Sequence, residues 1–227
     1  MNKCLKHKIK IAKFAAKILQ FIPYIRMISL CNSVACGNPK KDSDIDFFIV
    51  AKDKHIFTVR YAAVFLLTIF RLKPIPKKNQ TKDKICLSLF LNSFNLNLDR
   101  LNQNKQQEYQ RALWIADTIP IFDEAHTYLD FVDKNSWVKK YYKNYYIHML
   151  KKNKNIKNIF IIFIVRKFIE FVFLCGIGFV LEKILRMIQI KRLFNFKHSH
   201  HGHEKMIIND QIIKLHFQRP CDKKPLF

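Results

Sequence analysis

The chain has 227 residues, 49% of them apolar and 14% aromatic, so it carries enough core material for one or two folded domains and is not a disordered composition. Lys and Arg number 41 against 17 Asp and Glu, a net charge of +24 that favours anionic partners such as nucleic acid, nucleotide or an acidic membrane surface. The same chain is rich in Lys, Asn, Ile and Phe with only 4 Gly, a bias that an AT-rich coding sequence would also produce, so charge alone does not name the partner.

In chain order, the first element is an amphipathic helix over about residues 8 to 22, with Ile11, Phe14, Ala15, Ile18 and Leu19 at helical spacing and Pro23 at its end. Lys13, Lys17 and Gln20 break the continuous apolar stretch a signal peptide needs, and a cytoplasmic location is expected. A strand follows over Tyr24 to Leu30, then a loop of small and polar residues to Ser43, then a second strand from Ile45 to Val50. A helix is expected over 55 to 72 and a third strand over Ile85 to Leu91, with a basic, Pro-containing loop between them.

From about residue 105 the pattern is helical. Tyr109, Ala112, Leu113, Ala116 and Ile119 form one stripe closed by Pro120, and a second helix runs from about Asp123 to Lys134. A Lys-, Tyr- and Asn-rich stretch of low apolar order spans 139 to 157, and one long helix is expected over 158 to 193. The tail reads as a short hairpin around Asn209-Asp210. The expected fold is α+β (α/β-like), a small mixed sheet with flanking helices over 1–104, then a mainly helical region with a short β or irregular tail over 105–227.

Residues 159 to 181 are long enough to span a bilayer, but Arg166, Lys167 and Glu170 sit near the middle. Each such charge costs roughly 2.5–3.5 kcal/mol at mid-bilayer. Arg166 and Glu170, four apart, share one helix face and are placed to pair. A buried or peripheral helix is therefore expected, and a membrane is not expected among the partners.

The six cysteines are scattered without Cys-x-x-Cys spacing, which is neither a zinc pattern nor a disulfide framework. The histidines at 198, 200, 201 and 203 resemble a metal tract in composition only and read as a solvated loop. Trp137 and the tyrosines at 141, 142, 145 and 146, interleaved with lysines, suit either base stacking or a packed helix. Lys40, Lys41, Arg60 and Lys84 are candidates to neutralise a triphosphate.

The chemistry-bearing stretch is Asn32-Ser33, ten residues, then Asp44-Ile45-Asp46. On a strand, positions i and i+2 project from one face, so Asp44 and Asp46 can converge while Ile45 anchors the other side. Two close carboxylates repel unless a cation lies between them, and Mg²⁺ takes oxygen ligands, often one or two carboxylates with substrate phosphates. Ser33 offers a hydroxyl, and its small neighbours Val34, Ala35 and Gly37 let backbone N–H groups approach a phosphate, helped by any helix that starts there.

This pattern resembles the DNA polymerase β-type nucleotidyltransferase superfamily, in which an apolar strand leads to Gly-Ser, about ten residues, and Asp-x-Asp. The resemblance lies in Met27-Ile28-Ser29-Leu30-Cys31-Asn32-Ser33 and in Ser43-Asp44-Ile45-Asp46-Phe47-Phe48-Ile49-Val50. Within the superfamily it is closest to a prokaryotic group whose loop reads Gly-Ser-x-Ala-x-Gly-Asn ahead of Ser-Asp-Ile-Asp. Ser33, Ala35, Gly37 and Asn38 fit that wording. Looser matches lie around Arg60, at Lys82 to Leu87, at Asn135 to Val138 and at Leu181-Glu182-Lys183.

The resemblance implies Mg²⁺-dependent transfer of a nucleoside monophosphate from a nucleoside triphosphate to an unspecified acceptor, with pyrophosphate released. It implies Asp44 and Asp46 as catalytic metal ligands, and Asn32, Ser33, Gly37, Lys41 and Ser43 around the triphosphate. Two positions depart from the pattern. Asn32 replaces the first Gly, and Ile85 to Leu91, the strand that should carry a third carboxylate, offers only Cys86 and Ser88, with Asp83 just before it. Three readings stand: an active transferase, a decayed member that binds nucleotide or RNA without turnover, and a basic nucleic-acid-binding protein.

Overall fold

The structure, a computed structural model, describes residues 3–74, 81–151, 156, 160–173, 176–199 and 206–215. Its centre is a mixed six-stranded sheet in the order β4-β1-β2-β3-β6-β5, flanked by helices, an α+β fold. The strands are β1 (Ile25–Leu30), β2 (Ile45–Ala51), β3 (Ile85–Asn92), β4 (Ile119–Asp123), β5 (Ile207–Ile208) and β6 (Ile212–Lys214). β2 and β3 run parallel, and every other neighbouring pair is antiparallel. The expected tail hairpin is present as β5 and β6.

The helices are α1 (Lys3–Leu19), α2 (Asn32–Ala35), α3 (Ile56–Ile69), α4 (Lys105–Asp117), α5 (Thr127–Lys134), α6 (Tyr145–Lys151), α7 (Phe160–Phe173) and α8 (Ile177–Ser199). One sheet face carries Ile28, Leu30, Ile45, Phe47, Ile49 and Phe90, and packs against α1, α3 and α8. The other carries Met27, Cys31, Phe48, Val50, Leu89 and Leu91, and packs against α4, α5 and α6. Covered on both faces, β2 is buried at every position, which explains its nearly continuous apolar run. The α1 stripe Ala12, Ala15, Ala16 and Leu19 fits close to the sheet.

Three sequence expectations change. Ile119 does not belong to the α4 stripe, because α4 ends at Asp117 and residues 119–123, including Asp123, form β4. Pro120 is tolerated because β4 is an edge strand, paired with β1 as the one strand beside it among the described residues. The helix expected over 158 to 193 is two helices, with Gly176 at φ +94° between them. The 139–157 stretch contributes to the core, since Tyr145 and Met149 are fully buried and Trp137, Tyr141, Tyr142 and Tyr146 pack beside them. That favours packing over base stacking for this aromatic cluster. The sheet takes β1, β2 and β3 from residues 1–104 and β4, β5 and β6 from residues 105–227.

Among the described residues, no helix is long and apolar enough to cross a membrane. The histidine tract at 198–203 lies outside the residues whose side chains are described.

Candidate active site

β1 leaves the sheet at Leu30. Cys31 stays extended, and Asn32 turns the chain with φ +54° into the four-residue α2. Asn tolerates this left-handed conformation better than most residues, so the turn forms without glycine. A tertiary contact also holds it: Trp114 Nε1 on α4 donates to Asn32 Oδ1 at 2.9 Å in a buried environment. Ser33 follows on the first turn of α2 and is nearly buried.

The N–H groups of Cys36, Gly37 and Asn38 bond back to the carbonyls of Asn32, Val34 and Ser33. The donors left over for a phosphate are those at the start of α2, which by position lack an intrahelical acceptor. Gly37, at φ +78° and exposed, serves as the turn residue. A Cβ there would meet only Leu5 Cδ2 at 4.0 Å, so its conformation rather than space calls for glycine.

The β1 turn joins β2 directly, because Cys31 N–H donates to the Asp46 carbonyl at 3.1 Å. Asp44, just before β2, and Asp46 within it lie on the face of the sheet that packs against α4. In the parallel register Asp46 lies opposite Cys86 of β3. The Asp44 and Asp46 carboxylate oxygens and the Cys86 Sγ all lie within 4.8 Å of one another. A bulge between Phe47 and Phe48 of β2 leaves Ser88 as the extra residue of β3, and Ser88 Oγ donates to Asp46 Oδ1 at 2.5 Å. That short bond fixes one oxygen of a buried carboxylate. Burial pushes the Cys31 thiol well above its ordinary value, and Asp46, Cys86 and Asp44 push it further, so negative charge accumulates at this corner.

Beside Asp44 and Asp46 on β3, where the resemblance would call for a third carboxylate, stands Cys86. Asp83 does not fill that place, because its side chain turns to α1, where Lys8 Nζ lies at 2.7 Å and His7 Nε2 at 3.5 Å. Lys8 is completely buried and also donates to the carbonyls of Ser43 at 2.6 Å and Lys41 at 3.4 Å. One ammonium therefore ties down the loop leading into Asp44. Within that loop the Ser43 hydroxyl bonds the Lys40 carbonyl, and the Lys40 and Lys41 side chains are exposed.

Arg60 and Lys84 do other work. Arg60 Nη1 donates to Gln189 Oε1 at 2.7 Å, and burial brings its guanidinium down to about 10. Lys84 Nζ donates to the Arg71 carbonyl at 2.7 Å. The structure therefore brings together Asn32, Ser33, Asp44 and Asp46 with Cys86 and Ser88, and places Ser43 and Lys41 on the entering loop. Sequence reasoning missed Lys8 and Trp114. Lys8 had a faint signal, a lysine on the inward stripe of α1, whereas nothing local marks Trp114 as a partner of Asn32.

No protein-family model matches the chain, and no curated protein matches it.

The donor set fits one hard cation at Asp44 and Asp46, since Mg²⁺ is commonly held by one or two carboxylates together with phosphate oxygens. The thiol of Cys86 is a soft donor and does not suit Mg²⁺.

Proposed function

We propose that the chain is a Mg²⁺-dependent nucleotidyltransferase that moves a nucleoside monophosphate from a nucleoside triphosphate to an acceptor. The observation that carries this reading is the convergence of Asp44 and Asp46 beside the Asn32-Ser33 turn, which matches the motif spacing. In the reaction, an acceptor oxygen forms a bond to the α-phosphorus, the bond to the bridging oxygen breaks, and pyrophosphate leaves. Asp44 and Asp46 would hold the ion, with Ser88 fixing the orientation of Asp46. A bound Mg²⁺ supplies charge neutralisation on the triphosphate and alignment of the attack. The Ser33 hydroxyl and the N–H groups at the start of α2 receive phosphate oxygens.

Cys86 favours a second reading, a protein of this fold that binds the triphosphate and does not transfer it. A thiol neither accepts the nucleophile's proton as a carboxylate does nor binds a second hard ion. Pyrophosphate release from each nucleoside triphosphate, measured on the native chain, on Asp46→Ala and on Cys86→Asp, separates the two. Transfer predicts release by the native chain that falls about 100-fold or more in Asp46→Ala. Release only by Cys86→Asp selects the binding reading. No triphosphate binding by any of the three chains contradicts both.

A further inference from the structure

α7 is turned inside out. Its buried side chains include Arg166, 1% exposed, and Glu170, whereas Phe160, Ile161, Phe168 and Phe171 are 74%, 72%, 66% and 67% exposed. With Ile164, Val165 and Val172, these side chains fill one continuous arc of roughly 140° at 3.6 residues per turn. The charges that argue against membrane contact in the bare sequence all face the protein. Arg166 and Lys167 meet Glu124, and Glu170 meets Arg26 and the Tyr24 N–H.

α8 repeats the inversion in part, since Leu185 and Leu193 also face inward. It buries Glu182, whose carboxylate accepts the Phe57 and Thr58 N–H groups at the start of α3, and Gln189, which donates to the Phe57 carbonyl. It exposes Ile177, Phe179, Val180, Ile184, Met187 and Ile188. α7 packs on α8, α8 on α3 and α3 on α1, so the apolar face belongs to one helical layer.

That layer is also one-signed. Glu170 and Glu182 are the only carboxylates on α1, α3, α7 and α8, and both are buried. Lys183, Lys191 and Arg192 are exposed on α8, and Lys3, Lys6, Lys10 and Lys17 on α1. An exposed apolar patch of this extent marks an interaction surface. Its cationic setting selects the occupant. A second copy would bring +24 against +24, whereas an anionic lipid surface complements both the apolar and the charged groups.

We propose that the α7–α8 face docks the protein on an anionic membrane surface, with the helices lying in the plane of the interface rather than crossing the bilayer. A helix that lies in the interface needs an apolar arc and flanking cations, and does not need the length of a span. The proposal rests on the exposed face alone and is independent of the nucleotide reading.

The test is co-sedimentation of the full chain with vesicles of phosphatidylcholine alone and of phosphatidylcholine mixed with phosphatidylglycerol. Binding to the mixed vesicles is expected to be about tenfold tighter or more. Phe168→Ser with Phe171→Ser is expected to weaken it about tenfold or more, because the anchoring apolar area is lost. Phe94→Ser, which removes an exposed phenyl ring outside this layer, is expected to bind like the native chain. The substituted rings are exposed, and an unchanged urea midpoint verifies the fold; Ile161→Ser is the substitute variant if the double variant unfolds. Native-like binding by the folded apolar variants overturns the proposal by assigning adsorption to charge alone. So does failure of the native chain to sediment with anionic vesicles. A lipid-free dimer that Phe168→Ser with Phe171→Ser dissociates overturns it in favour of a second copy.

Discussion

The two helical layers solve opposite problems with the same sheet. α4, α5 and α6 cover apolar strand residues with apolar side chains, and their acidic residues, such as Glu108, Asp130 and Asp133, lie toward the outside. In the layer of α1, α3, α7 and α8, the sheet and α1 are joined through apolar stripes, but α7 and α8 bury Arg166, Glu170, Glu182 and Gln189 beside Ile162, Leu185 and Leu193 and leave phenylalanines outside. The difference lies in what each helix covers. α7 lies where Arg26 of β1, Glu124 after β4 and the Tyr24 N–H need partners, so its charged stripe turns inward. Burial follows complementarity to the underlying surface, and the helix's own hydropathy comes second.

The buried ions of this layer are the place to break the comparison. Glu124 is the hub: its Oε2 lies 2.5 Å from Arg166 Nη2 and 3.6 Å from Arg26 Nη1, and its Oε1 lies 2.6 Å from Lys167 Nζ. Glu124 Oε2 has no aligned hydrogen-bond donor among the described residues, so these are ion contacts at close range. Glu124→Ala strands the Arg166 guanidinium and is expected to cost about 3–5 kcal/mol in urea unfolding. A cost below about 1 kcal/mol, the value of an exposed pair, would show that α7 is not attached this way.

Lys8 gives the next effect. Lys8→Met keeps the volume of the buried stem but leaves Asp83 and the Ser43 carbonyl without the ammonium. The expected loss is about 2–3 kcal/mol, accompanied by weaker Mg²⁺–triphosphate binding because the loop before Asp44 is released. Binding unchanged by this substitution would separate the loop from the site.

The third effect is the pH dependence of stability, and it has two limbs. His55 stacks on Tyr24 with ring centroids 3.6 Å apart, and burial, with Lys52 adding to it, brings its imidazole from 6.5 down to about 4. The unfolded chain then binds this proton first, so stability falls as the pH drops from 6.5 to 4. His55→Gln should flatten that limb. For Glu170, burial alone would raise the carboxyl, but the Arg26 hydrogen bonds and the Tyr24 N–H outweigh it and hold it at about 2, against an ordinary 4.5. Its contribution is present above 4.5 and is lost as the pH falls toward 2, so Glu170→Gln should remove the acid limb. Urea midpoints across this range give both limbs, and an unaltered profile in either variant would remove that residue from the account.

The sheet strands β1, β2 and β3 were legible because each is a short apolar run bounded by turn residues. β4 was hidden because Ile119 continues the spacing of α4 and Pro120 reads as a stop. At the site, the Asp44 and Asp46 convergence followed from strand periodicity, and the Cys86 and Ser88 face followed from the same rule on β3. Lys8, Trp114 and Glu124 were illegible because their partners Asp83, Asn32 and Arg166 lie 75, 82 and 42 positions away, and because sequence patterns count buried charge as solvated. Two of the looser matches proved to be clamps: Asn135 bonds Leu98 N–H and the Leu96 carbonyl, and Glu182 caps α3.

The most direct measurement of the central claim is titration calorimetry of each nucleoside triphosphate, with Mg²⁺, into the native chain and into Asp44→Ala with Asp46→Ala. The account predicts binding by the native chain that requires Mg²⁺ and disappears when the two aspartates are removed. Equal binding by both chains, or none by the native chain, would contradict the assignment of this corner as a nucleotide site.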